Sequence, residues 1–283
     1  TNSLPKCELA QTRSLTVIAP FDSTLTGKPR CSRAHGRVRV AVMRIDIWSD
    51  IACPWCYIGL TRFEEALAAF PHKDSVEVHY RTFQLDPTLL ERDDRSEVQY
   101  LSETKGMPAN QIHQMFETVK AHGKEAGLEF NMDDVVVANS WTAHRLLHLA
   151  KQHDQNTTEH DQMITPALKR ELLAGHFGTG LDLSDHDQLA QVAVSVGLDE
   201  DRVREVLASD EFDTQAQADV NQARAFGVSA VPTYVLAEKY ALPGAQSVET
   251  FSQALQQVWD ELNPAPLQTL GAEGQTCGVE GCD

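Results

Sequence analysis

"SDIACPWCYIGL" (Ser49–Leu60) carries two cysteines, Cys53 and Cys56, with two residues between them. Such a pair can hold a metal, staple a loop or exchange electrons, and its flanks bear on which. Upstream, "RVAVMRIDIWS" (39–49) alternates and is rich in β-branched residues, the pattern of a strand. Downstream, Ile58, Phe63, Ala66, Leu67 and Phe70 fall on one helical stripe, which Pro71 ends. "SVEVHYRTF" (75–83) is a second alternating strand. Strand, helix and strand in so short a span form a βαβ unit and imply a parallel pair.

From about Leu85 to Val206 the texture is helical. Ile112, Met115, Phe116 and Val119 recur at helical spacing, as do Trp141, Leu146, Leu149 and Ala150. Ser184-x-x-Asp187 reads as a capping signal. "DDVVVAN" (133–139) is the one weak strand candidate in this block. Strand signals return in "GVSAVPTYVLAEKYALPGAQ" (227–246), with a hairpin around Ala237–Glu238. A last helix from Ser247 to Leu262 presents Phe251, Leu255, Val258 and Trp259, and Asn263-Pro264 stops it. This order predicts an α/β protein with a thioredoxin-like fold interrupted by an all-helical insertion domain. The expected boundaries are a discontinuous core at 43–84 and 206–262, the insertion at 85–205 and a tail at 263–283. Residues 1–42 hold seven Lys and Arg against Glu8 and Asp22, with scattered Pro and Gly. They read as a disordered extension, or as lying upstream of the true start at Met43.

The 283 residues carry a formal net charge of -17, which argues against a nucleic-acid partner. No apolar run is long enough to span a bilayer, so no membrane partner is expected. Of six cysteines, Cys7 and Cys31 fall in the extension; the rest form two close pairs, Cys53/Cys56 and Cys277/Cys282. Close pairs in a long chain point to metal or redox chemistry before a disulfide scaffold.

In a thioredoxin-like core, C-x-x-C after the first strand is a redox motif. The attacking sulfur must be a thiolate, and a helix N-terminus, where N–H groups are unpaired, favours an anion. Pro54 suits the first helical turn, since its missing N–H has no partner to lose there. Cys56, one turn on, can reach back to Cys53; it should be the more buried thiol and should resolve mixed disulfides. Zinc would need both cysteine pairs, and a four-thiolate site is the metal alternative. His144 and His148 share a helix face but read better as core or surface histidines than as ligands. Trp55 adds no positive charge between the cysteines, unlike a histidine, so the poise should lie nearer isomerase or reductase. It also offers an apolar surface beside the sulfur.

"SDIACPWCYIG", "AHRLLHLA", "GVSAVPTYV" and "YALPGAQ" together resemble the FrnE-like branch of the DsbA family of thioredoxin-fold disulfide oxidoreductases, over about Met43 to Leu262. The resemblance implies that Cys53 attacks, that Cys56 resolves and that Pro232 is a cis-proline facing the pair. It also implies that the helical block is the family's inserted lid domain. Beside such a proline, Val231 can offer its backbone N–H and C=O to a substrate peptide by β-augmentation. Kappa-class glutathione transferases and 2-hydroxychromene-2-carboxylate isomerases share the fold branch, but place a serine where Cys53 stands.

The expected function is a cytoplasmic protein thiol–disulfide oxidoreductase, an isomerase or reductase of protein disulfides. It needs no cofactor beyond its cysteines and no metal. Its expected partners are proteins with disulfides or thiols and a small-thiol or thioredoxin-type reductant. The rivals are a glutathione-linked small-molecule isomerase or transferase of this fold, and a non-enzymatic zinc-binding or holdase module. "TCGVEGC" (276–282) adds an expected accessory pair, Cys277 and Cys282, whose neighbouring glycines let it exchange electrons with Cys53–Cys56 or cap them.

Overall fold

The structure, a computed structural model, describes residues 41–156 and 163–265 and the backbone of 277–278 and 281–282. Most of the expected extension, with Cys7 and Cys31, and much of the expected tail lie outside the described residues. Strand β1 (Met43–Ser49) is buried along almost its whole length because it has a neighbour on each side. Strand β2 (Val76–Thr82) runs parallel to it, from Met43 opposite Val76 to Ser49 opposite Thr82. Strand β5 (Thr233–Leu236) runs antiparallel on the other side and pairs in turn with β6 (Tyr240–Pro243). The sheet order is β2-β1-β5-β6. Three residues join these strands: Ala237 and Glu238 both take positive φ, 51° and 55°, and the Lys239 N–H donates back to the Leu236 carbonyl at 3.0 Å.

Side chains of β1 alternate between faces. Met43, Ile45 and Ile47 point into the main core, against helices α1 (Pro54–Ala68) and α9 (Val248–Leu262). There Phe63, Tyr234 and Phe251 pack ring on ring, with centroids 4.7–5.5 Å apart. Trp48 points the other way and clusters with Ala223, Val228 and Val235 beneath α8 (Asp213–Ala225). Its indole Nε1 donates to the Asp219 carbonyl at 2.9 Å. This is a thioredoxin fold with helices enclosing both sheet faces.

Between β2 and α8 runs the helical insertion. It comprises α2 (Glu97–Lys105), α3 (Ala109–Glu125), α4 (Trp141–Gln155), α5 (Thr165–Ala174), a π-helical turn (Gly175–Thr179), α6 (His186–Ser195) and α7 (Glu200–Leu207). One antiparallel ribbon accompanies the helices: β3 (Arg92–Ser96) with β4 (Val136–Ala138). β4 falls within "DDVVVAN"; β3 reads RDDRS, so it shows no apolar alternation to betray a strand. The cap of α6 is Asp185, not Ser184. Asp185 accepts from the backbone N–H of Asp187 and Gln188, while Ser184 is held by Asp182 at 2.6 Å.

Asp219 on α8 ties the insertion to the core. Its carboxylate accepts from the Thr82 N–H (3.0 Å) and Arg81 (2.8 Å) on β2. From α4, His148 lies at 3.2 Å and Lys151 at 3.3 Å. Burial alone would raise this carboxyl, but His148, Lys151, Thr82 and Arg81 outweigh it and hold it far below the usual carboxylate range. The described residues all belong to one compact unit. Among the described residues, no helix is long and apolar enough to cross a membrane.

Candidate active site

Cys53 ends the loop after β1 and is the N-cap of α1, with extended backbone (φ -111°, ψ 110°). Its side chain does no capping, and Pro54 fills the first helical turn. The unpaired N–H groups of that turn are the donors a sulfur anion would meet. The turn is closed by Cys53 N–H to the Asp50 carbonyl (3.4 Å) and Cys56 N–H to the Cys53 carbonyl (3.0 Å). Cys53 is 4% exposed and Cys56 1%. Both are free thiols.

The chain returns to this turn at Val231–Pro232, whose peptide bond is cis. Cys53 Sγ lies 3.7 Å from the Val231 carbonyl oxygen. Val231 is half-buried and Pro232 buried. Gly59 makes the close approach feasible. A Cβ there would sit 2.8 Å from the Tyr234 hydroxyl, 3.0 Å from Pro232 Cγ and 3.2 Å from Ala245 Cα. The structure therefore brings Cys53, Cys56, Pro54, Val231 and Pro232 together. Trp55 is half-buried, and its ring meets His122 of α3 with centroids 5.4 Å apart. Part of its apolar face is thus covered by the insertion. Arg62 fixes that contact, donating to the Ala245 carbonyl on one side and to His122 and Glu125 on the other.

Behind the thiols lies a buried polar layer that the sequence did not signal as one site. Asp50 is 1% exposed. It accepts from the Leu85 N–H (2.7 Å), the Ala52 N–H (3.3 Å) and His144 Nε2 (3.2 Å). Burial pushes the Asp50 carboxyl up, but His144, Ser140 and Leu85 bonds more than offset this and leave it below its ordinary value. Burial lowers the proton affinity of His144, against the pull of Asp50. Lys169 on α5 is 1% exposed. Burial draws its ammonium down to about 8, opposed first by Cys56 and then by Asp50. Burial, together with the neighbouring Cys53 sulfur, pushes the Cys56 thiol well above the ordinary range. The Tyr234 hydroxyl, 0% exposed, has no hydrogen-bond partner among the described residues. A cavity of about 150 Å³ opens beside the turn, lined by Asp50, Ala52, Leu85, Tyr100, Ser140 and His176.

A signal for this layer does exist in the sequence. Thr165, Leu168, Lys169, Leu172 and Leu173 form one helical stripe, so Lys169 stands where an apolar residue belongs. His144 and His148 are satisfied core histidines, paired with Asp50 and Asp219. Among the described residues, no three His, Cys, Asp or Glu side chains gather as a metal site. Cys277 and Cys282 pair by backbone in a two-stranded hairpin, β7 (Cys277–Gly278) and β8 (Gly281–Cys282).

Residues 44–256 match the profile of the DSBA-like thioredoxin domain. The crystal structure of the probable DsbA oxidoreductase SCO1869 from Streptomyces coelicolor is 38% identical, with a TM-score of 0.71, over 85% of this chain and 98% of that one. The uncharacterized protein YwbO of Bacillus subtilis (strain 168) is 26% identical over 219 residues, 75% of this chain and 96% of YwbO. The cytosolic disulfide reductase DsbM from Pseudomonas aeruginosa with GSH shares the fold at 14% identity and a TM-score of 0.53, over 76% of this chain and 98% of that one.

Proposed function

The chain belongs to the family of DSBA-like thioredoxin domains, thiol–disulfide oxidoreductases, and from that premise we propose that it reduces or isomerises protein disulfides with Cys53 and Cys56. The observation that carries this reading is the Cys53 sulfur at a helix N-terminus, 3.7 Å from the Val231 carbonyl, with Cys56 buried one turn behind. A substrate strand laid along Val231 brings its disulfide to Cys53 by backbone pairing, so selection follows backbone shape and accessibility. The Cys53 thiolate attacks one substrate sulfur, the substrate disulfide breaks, and the departing thiolate takes up a proton. The Cys56 thiolate then attacks Cys53 Sγ. The second substrate thiol leaves, and an internal Cys53–Cys56 bridge holds the two electrons' worth of oxidation.

The reaction runs on cysteines alone. A small thiol or a thioredoxin-type protein resets the bridge, and a reducing compartment such as the cytoplasm suits this direction. Trp55 supports it, since no cation stands between the sulfurs to stabilise the reduced pair as DsbA-type oxidants do. We assign Cys277 and Cys282 an accessory role: their opposed backbone register supports a second dithiol that exchanges with the first.

Insulin reduction and refolding of scrambled ribonuclease test the assignment. Cys53→Ser loses both activities, whereas Cys56→Ser accumulates a mixed disulfide on Cys53. Full activity in Cys53→Ser overturns the assignment. Loss of the Cys277/Cys282 thiols by double serine substitution shifts turnover or the potential of Cys53–Cys56; an unchanged protein removes the tail from the chemistry.

A further inference from the structure

We propose that the cavity beside the C-x-x-C turn is a side-chain subsite for substrate polypeptides. It takes an aromatic residue, tyrosine above all, that lies two positions from the cysteine Cys53 attacks. The inference rests on the function proposed above and adds a side-chain preference to its backbone pairing.

The fold puts this cavity within reach of a bound substrate. β2 runs parallel to β1 and β5 antiparallel on its other side, so the ends of β1 and β2 meet the start of β5 at one edge of the sheet. The C-x-x-C turn follows β1 there. Val231 flanks it from the β5 side, and Leu85, just after β2, from the other. The Leu85 N–H donates to Asp50 at 2.7 Å, and Leu85, Asp50 and Ala52 all line the cavity. The wall therefore begins one residue before Cys53. A strand that pairs with Val231 and continues over the turn arrives at Leu85, which is 46% exposed. Side chains two apart on a strand point the same way and stand about 6.6–6.8 Å apart. With a substrate cysteine aimed at Cys53, the residue two positions on is aimed at the same surface, one step along it.

The lining says what that residue should be. A cavity of about 150 Å³ holds one six-membered ring. Its walls are mostly apolar, with Leu89, Leu101, Val136, Val137 and Ala138 among them. Most of its buried polar groups are already engaged. Asp50 accepts from Leu85, Ala52 and His144, and Tyr100 donates its hydroxyl to Asp86. His176 differs. It is 2% exposed, and its one hydrogen bond among the described residues joins Nδ1 to the Leu181 carbonyl at 3.2 Å. A carbonyl only accepts, so Nδ1 carries the proton. Burial lowers the affinity of this imidazole for a second proton, which leaves Nε2 an acceptor without a donor, on a side chain that lines the cavity. Ring-sized space, apolar walls and one open acceptor match a phenol: the ring fills the cavity and the hydroxyl donates to His176 Nε2. A charged side chain fits worse, because it leaves water for apolar walls. Asp50 is engaged, and burial pushes the half-buried Glu97 on the wall up to about 7, so it offers a cation only a partial charge near neutral pH.

Two measurements on the full chain test this. The first uses disulfide-bonded peptides with Tyr, Phe, Leu, Lys, Asp or Ala two positions before or after the reactive cysteine, near neutral pH. In wild type, kcat/KM for reduction should be about tenfold higher for Phe than for Ala. Tyr should exceed Phe by about threefold or more, with Lys and Asp no better than Ala. Moving the Tyr by one position turns it to the opposite face and should abolish the gain. Leu101→Trp, which fills the cavity from a half-buried position, should bring the Tyr and Phe peptides down to the Ala rate and leave the Ala peptide within about twofold of wild type. Equal rates across the set, Lys or Asp ahead of Tyr, or an undiminished Tyr preference in Leu101→Trp overturn the proposal. So does glutathione disulfide reduced faster than every peptide, which would make the cavity a small-thiol pocket. If wild type cleaves no peptide at all, the functional reading fails and the subsite falls with it. The second measurement leaves the cavity intact: Cys56→Ser is trapped through Cys53 on the Tyr or the Phe peptide, and His176 is followed by nitrogen NMR. The Nε2 resonance should lie further upfield in the Tyr adduct, as an imidazole nitrogen accepting a hydrogen bond does; the same position in both adducts overturns the proposal even where Leu101→Trp does not fold.

Discussion

At the scale of single residues, the site depends on what is small or silent as much as on the sulfurs. Gly59→Ala puts a methyl against the Tyr234 hydroxyl and Pro232. The expected cost is about 1–3 kcal/mol of stability, read as a lower urea midpoint, because overpacked cores relax poorly. Reaction of Cys53 with iodoacetamide should change with it, since Pro232 cannot move without moving Val231. Asp50→Ala strips an acceptor from His144 and two backbone N–H groups. It should cost about 2–5 kcal/mol, measurable by the same unfolding curves. Wild-type stability in either variant would contradict this packing. Residues of this kind divide the legible from the illegible. Cys53, Cys56 and Val231-Pro232 stand out as local strings. Asp50 stands inside the quoted string, yet its function is defined by His144, 94 positions away, and nothing local announces that pair.

At the scale of elements, periodicity reveals what buries an apolar stripe and hides what pairs by charge. β1, β2, α1 and α9 were legible because their buried faces recur at the period of their structure. β3 was not, since RDDRS alternates one polar residue with another and is held by pairing with β4 and by bonds such as Arg92 to Asp182 at 2.8 Å. The join of α8 to β2 and α4 was equally hidden, because Asp219 meets partners from both in space only. Asp219→Ala should destabilise by about 3–5 kcal/mol near neutral pH, because Lys151 loses its carboxylate partner and the Thr82 N–H its acceptor, while Arg81 keeps Asp46 at 2.7 Å. Its carboxyl is held below the ordinary value of 3.8, so this contribution is complete above that pH and is lost as pH falls below it. Urea midpoints of variant and wild type should therefore converge in strong acid; a constant gap would mean that packing, not charge, carries the loss.

At the scale of the whole molecule, acid should loosen the fold well before the carboxylates are protonated. Burial lowers the affinity of His144, His148 and His176 for protons. The unfolded chain then binds more protons than the folded one as pH drops below about 6.5, so stability falls through that window. Urea midpoints at pH 8, 6 and 5 should decline, and more gently in His176→Gln; a flat series would rule this out. Topology has a further consequence, for the chain as it is made. β1 occupies the middle of the sheet, yet its second partner is β5, and the carbonyl beside Cys53 lies 178 positions downstream. At ~5–20 residues per second of synthesis, the ribosome exposes Cys53 and Cys56 for about 9–36 seconds before Val231 exists to cover them. Through that interval the nascent protein is an open strand edge carrying an unshielded dithiol. Its yield should depend on how reducing the surroundings of the ribosome are, long before its own activity does.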